Sequence, residues 1–74
     1  MKSLRDLKIG ERATVVEFKE GEFALKMMEM GVVPGKIVRL IRKAPSGNPI
    51  VIESGMSLIA VRLEESDAML IKII

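Results

Sequence analysis

Cysteine and histidine are both absent from this chain of 74 residues. Without cysteine there is no disulfide framework and no thiolate zinc site, which fits a reducing compartment. Without histidine the chain lacks the commonest imidazole metal ligand and the only side chain that ordinarily titrates near neutral pH. No serine therefore has a histidine base, and the phosphate-binding pattern G-x-x-x-x-G-K-[ST] has no match. We expect no enzymatic activity, no cofactor and no metal site.

Aromatic residues and an excess of one charge are also scarce. Phe18 and Phe23 are the only aromatic residues, and 12 basic residues stand against 10 acidic ones, for a net charge of +2. Proteins that bind single-stranded nucleic acid need several exposed aromatic side chains for base stacking. Grooves that bind proline-rich peptides need aromatic walls. The composition therefore argues against nucleic acid as a partner and against proline-peptide recognition.

Long hydrophobic runs are missing as well. The unbroken apolar runs are a few residues long, whereas a helix that spans a bilayer needs about 20. The first six residues lack the apolar core of a secretory signal. We therefore expect a cytoplasmic protein without direct membrane insertion. Because hydrophobic residues make up 49% of the chain, we expect residues 1–74 to fold as one domain that acts by binding another macromolecule.

Glycine and proline divide the chain into short segments with β character. The segments are rich in β-branched residues, as is typical of strands bounded by turns. We predict about five strands, over residues 12–18, 36–43, 50–53, 56–62 and 69–74. Leu4 and Leu7 precede them and are predicted to cover the bottom of the core. Strands of this number and length favour a small, partly open β-barrel in a mainly β fold.

One segment, residues 22–30, has helical periodicity instead. Phe23, Met27 and Met30 recur at i, i+4 and i+7, which predicts an amphipathic helix with these side chains in the core. Gly31 follows the last of them, at the position where a left-handed C-terminal cap favours glycine. We predict one short α-helix, inserted after the first strand.

The order of several short motifs carries a family resemblance over nearly the whole chain. The motifs are Leu4, Leu7, Gly10 and Val15 before the helix, residues 30–35 after it, the loop at 44–50 and the strand end at 59–62. Together they resemble the FeoA family, small cytoplasmic partners of the bacterial ferrous iron transporter FeoB. The resemblance implies an SH3-like barrel that binds the cytoplasmic GTPase domain of a FeoB-like transporter and modulates it. The same domain type ends some DtxR-like repressors, so a regulatory domain acting with such a repressor or with nucleic acid is the alternative.

The loop at residues 44–49 is the best candidate for a partner contact. Its two prolines restrict the loop before binding, which lowers the ordering penalty on association. A simple connection between strands explains the loop equally well. The candidate contact residues within it are Pro45, Ser46, Asn48 and Pro49.

Two further residues complete the predicted partner-binding set. Met28 lies at the margin of the apolar stripe of the helix, where we expect it to be exposed. Arg62 ends an apolar strand and either contacts a partner or, as the favoured interpretation, pairs with Glu53 or Glu64. Because one edge of a partly open barrel is unpaired, weak self-association is a further prediction.

Three groups of similar side chains are interpreted as structural. The methionines Met27, Met28, Met30, Met56 and Met69 suit a soft-metal site or an adaptable binding surface, but core packing is favoured for Met27 and Met30. The acidic residues Glu53, Glu64, Glu65 and Asp67 lack the spacing of a calcium loop, so a solvated turn is favoured. Strand alternation places Arg39 and Lys43 on one face and Lys36 and Arg42 on the other, which predicts no basic stripe.

Overall fold

The computed structural model describes residues 1–74 and contains six strands and three short helical segments. The strands are β1 (Lys2–Ser3), β2 (Arg12–Phe18), β3 (Ile37–Lys43), β4 (Ile50–Ser54), β5 (Ser57–Val61) and β6 (Met69–Ile73). The helical segments are a 3₁₀ turn (Leu4–Asp6), α1 (Glu22–Glu29) and α2 (Leu63–Ser66). None of them combines the length and the apolar composition needed to cross a membrane.

The strands form one antiparallel sheet in the order β1-β6-β2-β3-β4-β5, which leaves β1 and β5 at the edges. β2 contacts β6 on one side and β3 on the other, and the register shifts between Val15 and Glu17 where β2 pairs with β6. A second shift lies between Leu40 and Arg42 where β3 pairs with β4. Such bulges bend a strand and increase its twist, so the sheet can coil around a core. The predicted mainly β, partly open barrel is confirmed, and α1 follows β2, the strand that was predicted to be the first.

Three elements were absent from the prediction: β1, the 3₁₀ turn at Leu4–Asp6 and α2. β1 has two residues, which is too short for any period to be visible in the sequence. α2 occupies the segment that was interpreted as an acidic turn. Its first residue, Leu63, is half-buried against the core, and its last, Ser66, is buried.

Fifteen apolar residues are buried in one cluster on the inner face of the sheet. Ala13 and Val15 of β2 belong to it, as alternation along the strand requires. Leu4 and Leu7 of the lead-in are also fully buried, so the prediction that they cover the core is confirmed. Each buried leucine is expected to contribute about 1.5–3 kcal/mol through the apolar surface it removes from water.

The structure at the C-terminus of α1 confirms the predicted glycine cap and shows why Met30 does not lie in the core. Gly31 has a φ of +83°, and its N–H donates to the Met28 carbonyl oxygen at 3.0 Å. The Val32 N–H donates to the Met27 carbonyl oxygen at 2.9 Å, which completes a Schellman motif. Phe23 and Met27 are buried as predicted, but Met30 is 43% exposed. The prediction that Met30 lies in the core is wrong, because Met30 is the capping residue, where the backbone has already left the helix.

Candidate partner-binding groove

A surface groove of about 430 Å³ lies where the end of β5, the start of α2 and the loop at 44–49 meet. It is lined by Lys26, Asn48, Pro49, Ala60, Arg62, Glu64 and Glu65. Asn48, Pro49 and Arg62 were predicted as partner contacts from separate parts of the sequence. The fold brings these three together.

The start of α2 is held by two side-chain oxygens that accept backbone hydrogen bonds. The Leu63 N–H donates to Oδ1 of Asn48 at 3.0 Å. The Arg62 N–H donates to Oε1 of Glu65 at 3.0 Å. The first N–H groups of a helix have no partner within the helix, so both bonds satisfy donors that would otherwise need water. Asn48 therefore fixes the loop to α2 and shapes the groove between them.

The loop at 44–49 is also ordered by its own hydrogen bonds. The Gly47 N–H donates to the Ala44 carbonyl oxygen at 2.7 Å, and the Ala44 N–H donates to the Pro49 carbonyl oxygen at 3.0 Å. The Ser46 hydroxyl donates to the Asn48 carbonyl oxygen at 3.0 Å. Pro45 and Ser46 are exposed at the loop tip, outside the groove. The loop thus presents a fixed shape to a partner.

The predicted ion pairs of Arg62 do not form. The one ion pair of the chain joins Arg5 Nε to Asp67 Oδ1 at 3.1 Å. Glu53 lies too far along β4, because its partner on β5 is Leu58, whereas Arg62 follows Val61, whose partner is Ile50. Arg62 is exposed and lies beside Lys26 and Glu64 in the groove. These side chains are therefore available to groups of either charge on a partner.

Met28 lies apart from the groove. It is 45% exposed, so the expected exposure is confirmed. Met28 is two positions from Lys26, which lines the groove, and about 100° of rotation per residue places the two side chains roughly 200° apart around the helix. Leu25, three positions before Met28, is also exposed. Met28 therefore belongs to a separate apolar surface on α1.

The other methionines and the acidic residues do not form a site. Met27 and Met69 are fully buried, while Met56 is fully exposed at the turn between β4 and β5. No group of three or more acidic side chains is arranged to hold a metal ion. Glu64 and Glu65 lie in the short helix α2 rather than in a solvated turn, with Glu65 as a cap, and Asp67, which follows the helix, is in the ion pair.

The prediction of which basic side chains of β3 share a face of the sheet is wrong. Arg42 lies opposite Val51, and Lys43 lies opposite the buried Ile50. The register shift between Leu40 and Arg42 adds one residue to β3 and reverses the alternation beyond it. Arg39 and Arg42 therefore share the outer face of the sheet, whereas Lys43 lies on the other face at the end of β3, where it is exposed.

Four residues of the groove, Lys26, Ala60, Glu64 and Glu65, were not predicted as contacts. Glu65 follows the strand end at Arg62 by three positions, which is the spacing of a residue that caps a helix start. That spacing was visible in the sequence. The approach of Lys26 from α1 was not, because it depends on how the helix packs on the sheet.

Comparison with known proteins identifies the family. Residues 2–73 match the FeoA domain. FeoA protein from Chlorobium tepidum is 30% identical, with a TM-score of 0.91 over 99% of this chain and 70% of that one. FeoA from Stenotrophomonas maltophilia, in complex with zinc, is 25% identical, with a TM-score of 0.88 over 97% of this chain and 91% of that one. That protein is described as a procaryotic SH3 domain protein and as a candidate ferrous iron transport activating factor.

The fold also occurs in a different kind of protein. A manganese-dependent transcriptional repressor is 11% identical, with a TM-score of 0.86 over 99% of this chain and 41% of that one. At this identity the likeness concerns the fold alone. No curated protein sequence matches the chain. Because the domain match runs over nearly all residues and the two FeoA structures align with 97–99% of the chain, the chain belongs to the FeoA family, an SH3-like domain family of ferrous iron transport.

Proposed function

We propose that this chain is a cytoplasmic accessory protein of ferrous iron transport that binds the cytoplasmic GTPase domain of a FeoB-type transporter. The observation that carries the proposal is the match of residues 2–73 to the FeoA domain. The description of the Stenotrophomonas relative as a candidate ferrous iron transport activating factor supports the same role. The chain acts through contacts between proteins and catalyses no reaction itself.

The groove supports a binding role because its parts are fixed before a partner arrives. The loop at 44–49 and the start of α2 are joined through Asn48. Prior order reduces the entropy lost on association, so more of the contact energy appears as affinity. We propose that Asn48, Pro49 and Arg62 in the groove, with Pro45 and Ser46 at the loop tip, contact the partner. Met28 is proposed as a second, separate contact on α1.

Modulation of the transporter follows if the two states of its nucleotide-binding domain bind this chain with different affinity. A ligand shifts an equilibrium only by its differential affinity for the two states. We propose that the chain, acting as one unit, favours one of these states when it docks. Self-association through the open edge at β5 stays a prediction, which sedimentation over a range of concentrations would check.

Calorimetry with the purified cytoplasmic domain of the cognate transporter tests the proposal. The unaltered chain should bind, and Arg62→Ala should weaken binding by about tenfold, which corresponds to roughly 1.4 kcal/mol. Lys19→Ala is the matched control, because Lys19 is exposed, carries the same charge and lies outside the groove. Absence of binding, together with unchanged iron uptake in a deletion strain, would refute the proposal.

A further inference from the structure

The bulge in β3 collects arginine side chains on the outer face of the sheet. Arg39 lies opposite Glu53 and Arg42 lies opposite Val51, and these partners share the face turned away from the core. Leu40, between them, is fully buried opposite Ile52. Without the additional residue in β3, strand alternation would send Arg42 to the inner face. The fold thus places two guanidinium groups where the sequence pattern would separate them.

A third arginine lies directly across the strand pair. Arg12 of β2 is the cross-strand partner of Arg39. The Leu40 N–H donates to the Glu11 carbonyl oxygen at 3.1 Å, so the neighbouring pair Arg12–Arg39 is of the non-hydrogen-bonded type, in which side chains are closest. Like charges directly opposite in a sheet are destabilising.

The chain itself does not neutralise these arginines. The one ion pair joins Arg5 and Asp67, at a different place on the surface. Glu53 faces Arg39 from β4 but forms no ion pair with it. Within the chain the cluster therefore lacks ion pairs that would offset the repulsion between its charges, and carboxylates of a partner would supply them.

Exposed aliphatic side chains adjoin the arginines on the same face. Ile37 is 48% exposed and pairs with Thr14, next to the Arg12–Arg39 pair. Leu58 is 66% exposed and lies across from Glu53. Arginine is enriched in protein–protein interfaces, and the buried centre of such an interface is more apolar than the surrounding surface.

We infer that this arginine face, formed by Arg12, Arg39, Arg42, Ile37 and Leu58, docks an acidic segment of a protein partner. Guanidinium groups bind carboxylates through two parallel hydrogen bonds, so two or more carboxylates of the partner would complement the three arginines. Aliphatic side chains of the same segment would cover Ile37 and Leu58. We take the cytoplasmic domain of the FeoB-type transporter as this partner, and that identification rests on the proposed function.

A protein fits this face better than nucleic acid or a lipid surface does. Glu53 and the exposed Ile37 and Leu58 interrupt the arginines, so the face offers no continuous basic track for a phosphate backbone. Neither aromatic residue is available for stacking on bases, since Phe18 and Phe23 pack edge to face with ring centroids 6.1 Å apart. The net charge of +2 is also low for a phosphate-binding surface.

The arginine face is continuous with the groove. Arg42, Val51 and Ala60 form one cross-strand row on the outer face. Ala60 also lines the groove beside Arg62. One partner can therefore cover both surfaces at once.

The test is binding of the full chain to the cytoplasmic domain at low and high salt. The double variant Arg12→Gln/Arg39→Gln should bind at least about tenfold more weakly at low salt, since arginine is enriched among the residues whose removal weakens protein–protein binding most. Its affinity should also depend less on salt than that of the unaltered chain. Lys8→Gln/Lys19→Gln removes the same charge from exposed positions off this face and should leave affinity unchanged. Thermal unfolding should show the double arginine variant to be at least as stable as the parent.

The outcomes separate this inference from the proposed function. If the unaltered chain binds and the double arginine variant binds equally well, the arginine face is not the docking surface although the proposed function stands. If the unaltered chain does not bind the domain, the docking inference falls, and the proposed function falls with it when deletion of the chain also leaves iron uptake unchanged. Titration of the unaltered chain with short duplex DNA or with phosphatidylglycerol vesicles should show no binding. Binding to either probe that the double variant loses would overturn the assignment to a protein partner.

Discussion

The side chain of Asn48 accepts a hydrogen bond from the backbone N–H of Leu63 across 3.0 Å, although 15 positions separate the two residues. The bond joins the loop at 44–49 to the first turn of α2. Because a helix start has N–H donors without partners inside the helix, Asn48 supplies an acceptor from outside it. The amide of Asn48 therefore holds the loop against α2 at the wall of the groove.

Replacement of Asn48 by alanine should lower the free energy of unfolding by about 1 kcal/mol, since a donor loses its partner at a partly exposed site. Asn48→Asp should retain the stability, because a carboxylate accepts the same bond and suits the positive end of a helix. Urea denaturation of the two variants measures the difference. Equal stability of Asn48→Ala and the parent would show that water replaces the bond fully.

Met27 and Met28 are adjacent in sequence but should respond oppositely to truncation. Met27 is fully buried, so Met27→Ala should destabilise the protein by about 2–5 kcal/mol through lost apolar burial and a cavity. Met28 is exposed, so Met28→Ala should change stability by no more than about 0.5 kcal/mol. Chemical denaturation checks both. Similar losses for the two variants would contradict the placement of the helix.

Gly31 should tolerate no residue with a β-carbon without loss of stability. Its φ of +83° is unfavourable for L-residues, while no atom lies within 4 Å of an added β-carbon. The expected loss for Gly31→Ala is thus a backbone effect of about 1 kcal/mol. Gly31→Asn should lose less, because asparagine enters left-handed conformations more readily. A higher unfolding temperature for Gly31→Ala than for Gly31→Asn would contradict the capping geometry.

The ion pair between Arg5 and Asp67 connects the 3₁₀ turn with the end of α2. Both side chains are about half exposed, so Asp67→Asn should reduce stability by no more than about 1 kcal/mol, and less at high salt. Arg5→Ala should reduce it further, because Arg5 Nη2 also donates to the Leu63 carbonyl oxygen at 3.3 Å. Denaturation at two salt concentrations gives the comparison. A loss for Asp67→Asn that salt does not diminish would contradict an electrostatic origin.

Much of the fold could be predicted because its signals are local. β2 is found over the predicted residues, and α1 ends at the predicted glycine cap. Local reasoning failed where a residue leaves its periodic element. Met30 follows the helical period but lies on the cap, and Arg42 follows the strand period but lies beyond a bulge. A hydrophobic repeat of 3.6 residues in a helix or 2 residues in a strand does not show where that helix or strand is interrupted.

The candidate site was predictable only in pieces. The prolines marked the loop at 44–49, and Arg62 stood out as a charge at the end of an apolar strand. Their meeting in one groove with Lys26 depends on the pairing of β4 with β5 and on the packing of α1. Contacts of that kind join positions far apart in the chain, and no local sequence pattern predicts them.

The sequence by itself determined that this protein has no thiol or imidazole chemistry and that it folds as short strands around an aliphatic core with one capped helix. These properties follow from residue types and their short-range order, which fix backbone preference and the pattern of burial. Only the tertiary structure decided which charged side chains are neighbours. It placed Arg12 opposite Arg39 through strand register, and it brought Arg42 to the same face through one additional residue in β3. Register and bulges are set by the packing of the whole sheet, so the surface available to a partner is a property of the folded chain.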